Sequence, residues 1–139
     1  MEQKWAHRAE LAETAIDERH AHSVWGLPRT NLAIVSWPPT TKEKLLVHWH
    51  YWWQAHYLDC LVDAAERKNT KARRQRILDT TRGIRVRNLA QLTKNKYFDD
   101  KAWLALALGR VGEVKKMKPP KALASLQGNI CLLYTSDAA

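Results

Sequence analysis

The chain has 139 residues, 45% of them hydrophobic and 27% charged, with a formal net charge of +9. This composition is that of an ordinary globular protein and excludes a disordered chain, and the length is enough to bury one hydrophobic core. The positive balance raises nucleic acid as a partner, a reading that depends on where the cations fall.

Residues 3–24 predict an amphipathic helix with Trp5, Ala9, Ala12, Ile16, His20 and Val24 along one side, ended by Gly26 and Pro28. Residues 31–41 read as an extended connection. Within it Leu32-Ala-Ile-Val35 suits a short strand, but Trp37-Pro38-Pro39 stops it and bars a central place in a sheet. A second helix is predicted over 43–67. Trp49, Trp52, Trp53, His56, Tyr57, Cys60, Leu61, Ala64 and Ala65 recur there at steps of three and four, which makes one wide buried stripe. Gln54 lies beside the stripe, where an amide can meet sugar hydroxyls, and Asp59 and Asp63 sit four apart on another edge. The next helix, over 70–86, is basic, with only a narrow apolar seam of Ala72, Ile77, Thr80, Thr81 and Ile84. That pattern suits a solvated outer helix. Asn88 to Phe98 reads as a loop, followed by a helix from Asp99 to about Val111 that ends near Gly112. Trp103, Leu104, Leu106 and Leu108 make this helix apolar on nearly every side, so it is expected to be central and buried. Pro119 and Pro120 precede a last helix from about 121.

Asp99 and Asp100 head the apolar helix, where unpaired backbone N–H groups and the positive end of the macrodipole favour carboxylates. Consecutive helical residues are rotated by roughly 100° with Cα atoms about 3.8 Å apart, so one acid can be wet and the other desolvated. Neighbouring residues can reach the separation of about 5–5.5 Å at which retaining glycosidases hold their two carboxyl groups. A structural alternative, common in proteins, stands beside this reading: an acidic first turn following a helix cap. The aromatic stripe is open in the same way, since it suits a core or a sugar platform. Three tryptophans within five residues is an expensive way to fill a core, because each indole N–H needs a partner.

The stretch Trp49-His-Tyr-Trp-Trp-Gln-Ala55, together with Tyr97-Phe-Asp-Asp-Lys-Ala-Trp-Leu-Ala-Leu-Ala107, resembles glycoside hydrolase family seventy-six, the endo-α-1,6-mannanases, in its actinobacterial form. Supporting pieces are Trp25-Gly-Leu-Pro28, Leu32-Ala-Ile-Val-Ser-Trp-Pro-Pro39 and Arg85-Val-Arg-Asn88, so that the resemblance covers residues 5–130. It implies an all-α fold, the N-terminal part of an (α/α)6 toroid of helical hairpins around a groove. It also implies a retaining enzyme on α-mannan or manno-oligosaccharides, with Asp99 as nucleophile, Asp100 as general acid/base, Trp53, Gln54 and Tyr97 lining the cleft, and no cofactor. This chain departs from the pattern at Lys96, at Phe98, where a second tyrosine is frequent, and at Lys101, which stands where it can perturb the acid.

Residues 131–139, Cys131-Leu-Leu-Tyr-Thr-Ser-Asp-Ala-Ala139, look like the translation of a sequencing adapter and are expected to carry no fold. Twelve toroid helices of about 11–12 residues need about 140 residues in helix alone, so residues 1–130 are expected to be a truncated portion of the domain, inactive by itself. With Cys131 set aside, Cys60 has no disulfide partner and suggests packing. The histidines, His48 and His50 among them, lack the i, i+4 spacing of a zinc site, and no metal is expected. No apolar run approaches the roughly eighteen residues of a membrane span, and no signal-peptide core is visible. A cytoplasmic location without a membrane partner is expected. Two rival functions stand beside the hydrolase. One is a basic nucleic-acid-binding module, the weaker because no zinc finger, aromatic RNA-binding strand or glycine-rich phosphate loop accompanies the arginines. The other is a helical carbohydrate-binding protein without catalysis.

Overall fold

A computed structural model describes residues 2–136, with side chains described for residues 3–128 and 130. The elements are α1 (Glu2–Arg19), β1 (Ala21–His22), a 3-10 turn (Val24–Gly26), β2 (Leu32–Ala33), α2 (Thr41–Lys44), α3 (Tyr51–Arg67), α4 (Lys71–Arg87), α5 (Phe98–Glu113) and α6 (Ala122–Ser136). The described chain is mostly helical, as expected. No helix among these residues is long and apolar enough to cross a membrane.

Helix α1 stops five residues short of the predicted end, because the chain after it is drawn into extended pairing. Ala21 and His22 stand opposite Ala33 and Leu32 in an antiparallel pair, and the carbonyl of His20 accepts from the Ile34 N–H at 2.7 Å. The helix predicted over 43–67 is likewise interrupted. Thr40 and Glu43 form a reciprocal capping box that starts α2. The chain then turns through positive φ at Leu46 (54°) and His50 (45°), conformations that a helix cannot contain. Trp49 therefore precedes α3 and is not part of its stripe.

Helices α3 and α4 form an antiparallel hairpin through the link 68–70. The side chain of Thr70 caps α4 by accepting from the Arg73 N–H at 3.2 Å. Gly83 of α4 packs against the backbone of Asn31, where an added Cβ would stand 2.2 Å from the carbonyl oxygen. Asn31 in turn donates its side-chain amide to Thr80 Oγ1 (2.9 Å) and to Tyr57 Oη (3.1 Å), which joins β2 to both helices of the hairpin. Helix α5 lies along α3 in the same direction. Trp103 meets His56 at a ring separation of 4.9 Å, while Arg110, two turns further on, reaches Asp59, Asp63 and Glu66. Helix α6 packs on α5. Helix α5 ends at Glu113, next to Gly112 as expected, and Gly112 also gives Pro119 room to approach.

The core is largely aliphatic, with Tyr51 and Tyr57 as its aromatic members. Leu58, Ile77, Ile84, Leu104, Leu108 and Leu126 are fully enclosed, and burying a side chain of that size contributes about 1.5–3 kcal/mol. None of the seven tryptophans belongs to it: Trp5, Trp25, Trp37, Trp52 and Trp103 are exposed, and Trp49 and Trp53 are half-buried. Tyr57, Leu61, Ala64 and Ala65 of the predicted stripe are buried as expected, but the buried face of α3 also takes in Gln54, Ala55, Leu58 and Val62, so the stripe is rotated and both Trp52 and Cys60 face outward. Helix α5 is less enclosed than its composition suggests. Leu104, Ala107, Leu108 and Val111 are buried, but Trp103 and Leu106 stay exposed, Trp103 at the edge of the contact with α3 through His56. The sequence Cys131–Ser136, expected to carry no fold, continues α6, and residues 137–139 lie outside the described residues.

Candidate functional site

The first turns of α3 and α5 lie side by side because the two helices are parallel. A groove of about 460 Å³ opens between them. Trp49, Tyr51 and Trp52 line it on the α3 side, and Asn95, Tyr97, Asp99 and Asp100 on the α5 side. Two helix N-termini thus direct their positive ends toward one opening, a setting that suits anionic side chains.

Asp99 is exposed and Asp100 half-buried, so the two acids differ in exposure. Asn95 orients the second acid. Its Nδ2 donates to Asp100 Oδ2 at 2.8 Å, while its Oδ1 accepts from the Tyr97 N–H at 3.0 Å and so fixes the chain at the entrance to α5. Oδ1 of Asp100 is left free of that bond. Tyr51 is buried and donates its phenol to the Leu92 carbonyl at 2.5 Å. Burial, and then the negative charge of Asp100, push its phenol well above the ordinary tyrosine range, so it stays a neutral donor.

Tyr97, expected in the cleft, is in the groove and 54% exposed, with the Lys96 ammonium 4.7 Å from its ring centre. Phe98, beside it, carries no hydroxyl. Lys101 does not pair with either aspartate. It is buried, with Nζ 4.4 Å from the Phe98 ring centre in a cation–π contact.

Trp53 and Gln54 do not line this groove. Trp53 is half-buried against His50 and Trp52, at ring separations of 5.0 and 5.4 Å. Gln54 is fully buried, and its amide acts as a surrogate peptide group. Oε1 accepts from the Ala33 N–H at 2.9 Å, and Nε2 donates to the carbonyls of Ala33 (2.7 Å) and Trp49 (2.9 Å). An amide so buried and engaged is closed off from a sugar in the groove. Its position holds Trp49, which the spacing had assigned to the buried stripe, at the groove wall.

Arg87 packs against Trp49 of that wall without lining the groove itself. Its Nε donates to the Leu46 carbonyl at 2.7 Å, and its guanidinium lies between the rings of Trp25 (5.9 Å) and Trp49 (5.2 Å). Arg87 and Asn95 are the supporting residues that spacing did not reveal. The Arg-Val-Arg-Asn segment marked the neighbourhood of the first, and the second stands four residues before the aspartates without a pattern of its own.

The basic helix divides by position. At its start, Arg73 joins Glu13 of α1 at 2.6 Å and Arg76 pairs with Asp17, so these cations are spent on docking α1. Among the described residues, no group of three or more His, Cys, Asp or Glu side chains is placed to hold a metal ion. No protein-family model, curated protein or solved structure matches the chain.

Proposed function

We propose that the groove at the first turns of α3 and α5 is the catalytic centre of a retaining glycoside hydrolase domain acting on α-1,6-linked mannosides. The observation that carries the reading is the pairing of one exposed and one half-buried carboxylate, Asp99 and Asp100, in a groove walled by indole and phenol rings. Aromatic faces suit the C–H surfaces of sugars, and the placement of every tryptophan outside the aliphatic core favours a binding role for some of them. The parallel α3 and α5, with α4 antiparallel to both, is the arrangement that a ring of helical hairpins requires, and it favours the toroid.

In the proposed reaction Asp99 attacks the anomeric carbon while Asp100 delivers a proton to the departing oxygen. Asp100 then takes a proton from water, which releases the sugar from Asp99. Asn95 restrains Asp100 through Oδ2 and leaves Oδ1 to carry the proton.

The test is hydrolysis of linear α-1,6-mannan by a protein that carries this chain within the rest of the toroid. Asp99→Asn is expected to abolish turnover. Asp100→Asn should lose about 10²–10⁴-fold, the usual worth of general acid–base catalysis, with slow activity retained on substrates bearing good leaving groups. Full activity of either variant overturns the assignment. Affinity for manno-oligosaccharides without any turnover would replace the hydrolase with a carbohydrate-binding protein.

A further inference from the structure

The second half of α4 presents cations that the fold does not use. Arg67 and Arg73 share Glu13, Arg76 pairs with Asp17, three acids of α3 surround Arg110, and Arg87 donates to a backbone carbonyl. Arg82 and Arg85 are exposed and make no ion pair among the described residues. Opposite them, the α5–α6 connection brings up Lys118 and Lys121, equally exposed and equally without a carboxylate. These four side chains line one groove of about 360 Å³, and no acidic residue is among its walls.

The remaining walls are apolar. Leu92 and Val111 are buried core residues that reach the groove from below, while Leu78 is half-exposed and Pro120 half-buried beside them. Four cations gathered without counter-charge repel one another, and an anion placed among them relieves that repulsion. Arginine guanidinium favours the forked geometry of phosphate, and two lysines add point charge. The volume lies in the range of small-molecule sites. A concave groove with an apolar base suits a compact ligand better than the wide, wet backbone of a duplex.

We propose that this groove binds an amphipathic organic phosphate, with the phosphate held by Arg82, Arg85, Lys118 and Lys121 and a short hydrocarbon body laid against Leu78, Leu92 and Pro120. None of these residues lines the groove that holds Asp99 and Asp100, so the two readings stand or fall separately.

Calorimetric titration of the chain with octyl phosphate, below the concentration at which it forms micelles, tests the proposal, with octanol and inorganic phosphate run alongside. Octyl phosphate should bind at least tenfold more tightly than either. The double variant Arg85→Gln/Lys121→Gln should weaken it at least tenfold with an unchanged melting temperature, since both side chains are exposed and unpaired. Leu78→Gln should weaken octyl phosphate and leave inorganic phosphate unaffected, while Lys42→Gln/Lys44→Gln on α2 should change nothing. Equal affinity in the Arg85/Lys121 variant overturns the site. Inorganic phosphate binding as tightly as octyl phosphate reduces it to an adventitious anion and overturns the ligand class, as does octanol matching octyl phosphate. Salt-sensitive capture of duplex DNA, with no heat from octyl phosphate, would overturn it in favour of a nucleic-acid surface.

Discussion

Replacing Gln54 with methionine keeps the length of the side chain while removing every hydrogen bond it makes. Three bonds disappear: the Ala33 N–H and carbonyl lose their partner, and so does the Trp49 carbonyl. At a net contribution of about 1 kcal/mol each, the loss comes to about 3 kcal/mol, and stranding of the Ala33 groups against a buried thioether favours the upper side of that figure. With an unfolding entropy of about 2.1 cal/mol/K per residue, a chain of 139 residues has about 290 cal/mol/K, so the melting temperature should fall by about 10 °C. Thermal unfolding followed by circular dichroism measures this directly. Methionine is close in volume, so no large cavity obscures the result. Gln54→Glu is the companion variant, since it keeps the acceptor for the Ala33 N–H but removes both donors and buries a carboxyl; it should be no more stable than the methionine variant. If Gln54→Met melts with the parent while affinity for manno-oligosaccharides is lost, Gln54 faces the groove and the structural role argued for it is wrong.

Gly83→Ala places a methyl group 2.2 Å from the Asn31 carbonyl, a backbone atom that cannot swing aside, and should destabilise by about 1–3 kcal/mol in a urea titration; an unchanged midpoint would show that α4 and the β2 segment are not in contact. Glu13 carries a pH dependence. Burial pushes its carboxyl up, but the hydrogen bond and charge of Arg73, followed by those of Arg67, outweigh burial and hold it below its ordinary 4.5. A depressed carboxyl stabilises the fold above the unfolded value and loses that contribution as pH falls through the folded one, so protection of α1 amides from hydrogen exchange should decline below about pH 4.5, and Glu13→Gln should remove that part of the decline. Arg87→Met removes the donor to Leu46 and the charge between Trp25 and Trp49; it should cost about 1–3 kcal/mol and shift the indole emission spectrum, and a variant with parental stability and spectrum would contradict the role of Arg87 at the groove wall.

The periodic segments were legible because local physics decides them. Thr70 caps α4 and the predicted 70–86 helix is seen over Lys71–Arg87, while the pair of prolines sets off the last helix as expected. The aspartates could be placed at a helix start from the apolar run that follows them, and the fold leaves them there. What failed was the assignment of faces. Trp49 matched the stripe of α3 in spacing, yet positive φ at Leu46 and His50 separates it from the helix, and those conformations are imposed by contacts such as the Arg87 bond to Leu46 from another part of the chain. Cys60 and Trp52 matched it too, but spacing fixes only which residues share a side, not which side meets α4 and α5.

The sequence alone determined the helical class, the aspartate pair at a helix N-terminus and the excess of cations on the fourth helix, because capping, periodicity and charge act over a few residues. Tertiary structure decided the rest. Only the parallel packing of α3 and α5 brings Trp49 and Trp52 to the same groove as Asp99 and Asp100, and only the pairing of β2 with Gln54 withdraws that amide from the surface. Likewise, which arginines of α4 are neutralised depends on where α1 docks, since Glu13 and Asp17 lie more than fifty residues away along the chain from the cations they meet. Contacts of that separation leave no local periodicity or capping signal to read, because the partners become neighbours only when the chain closes on its core.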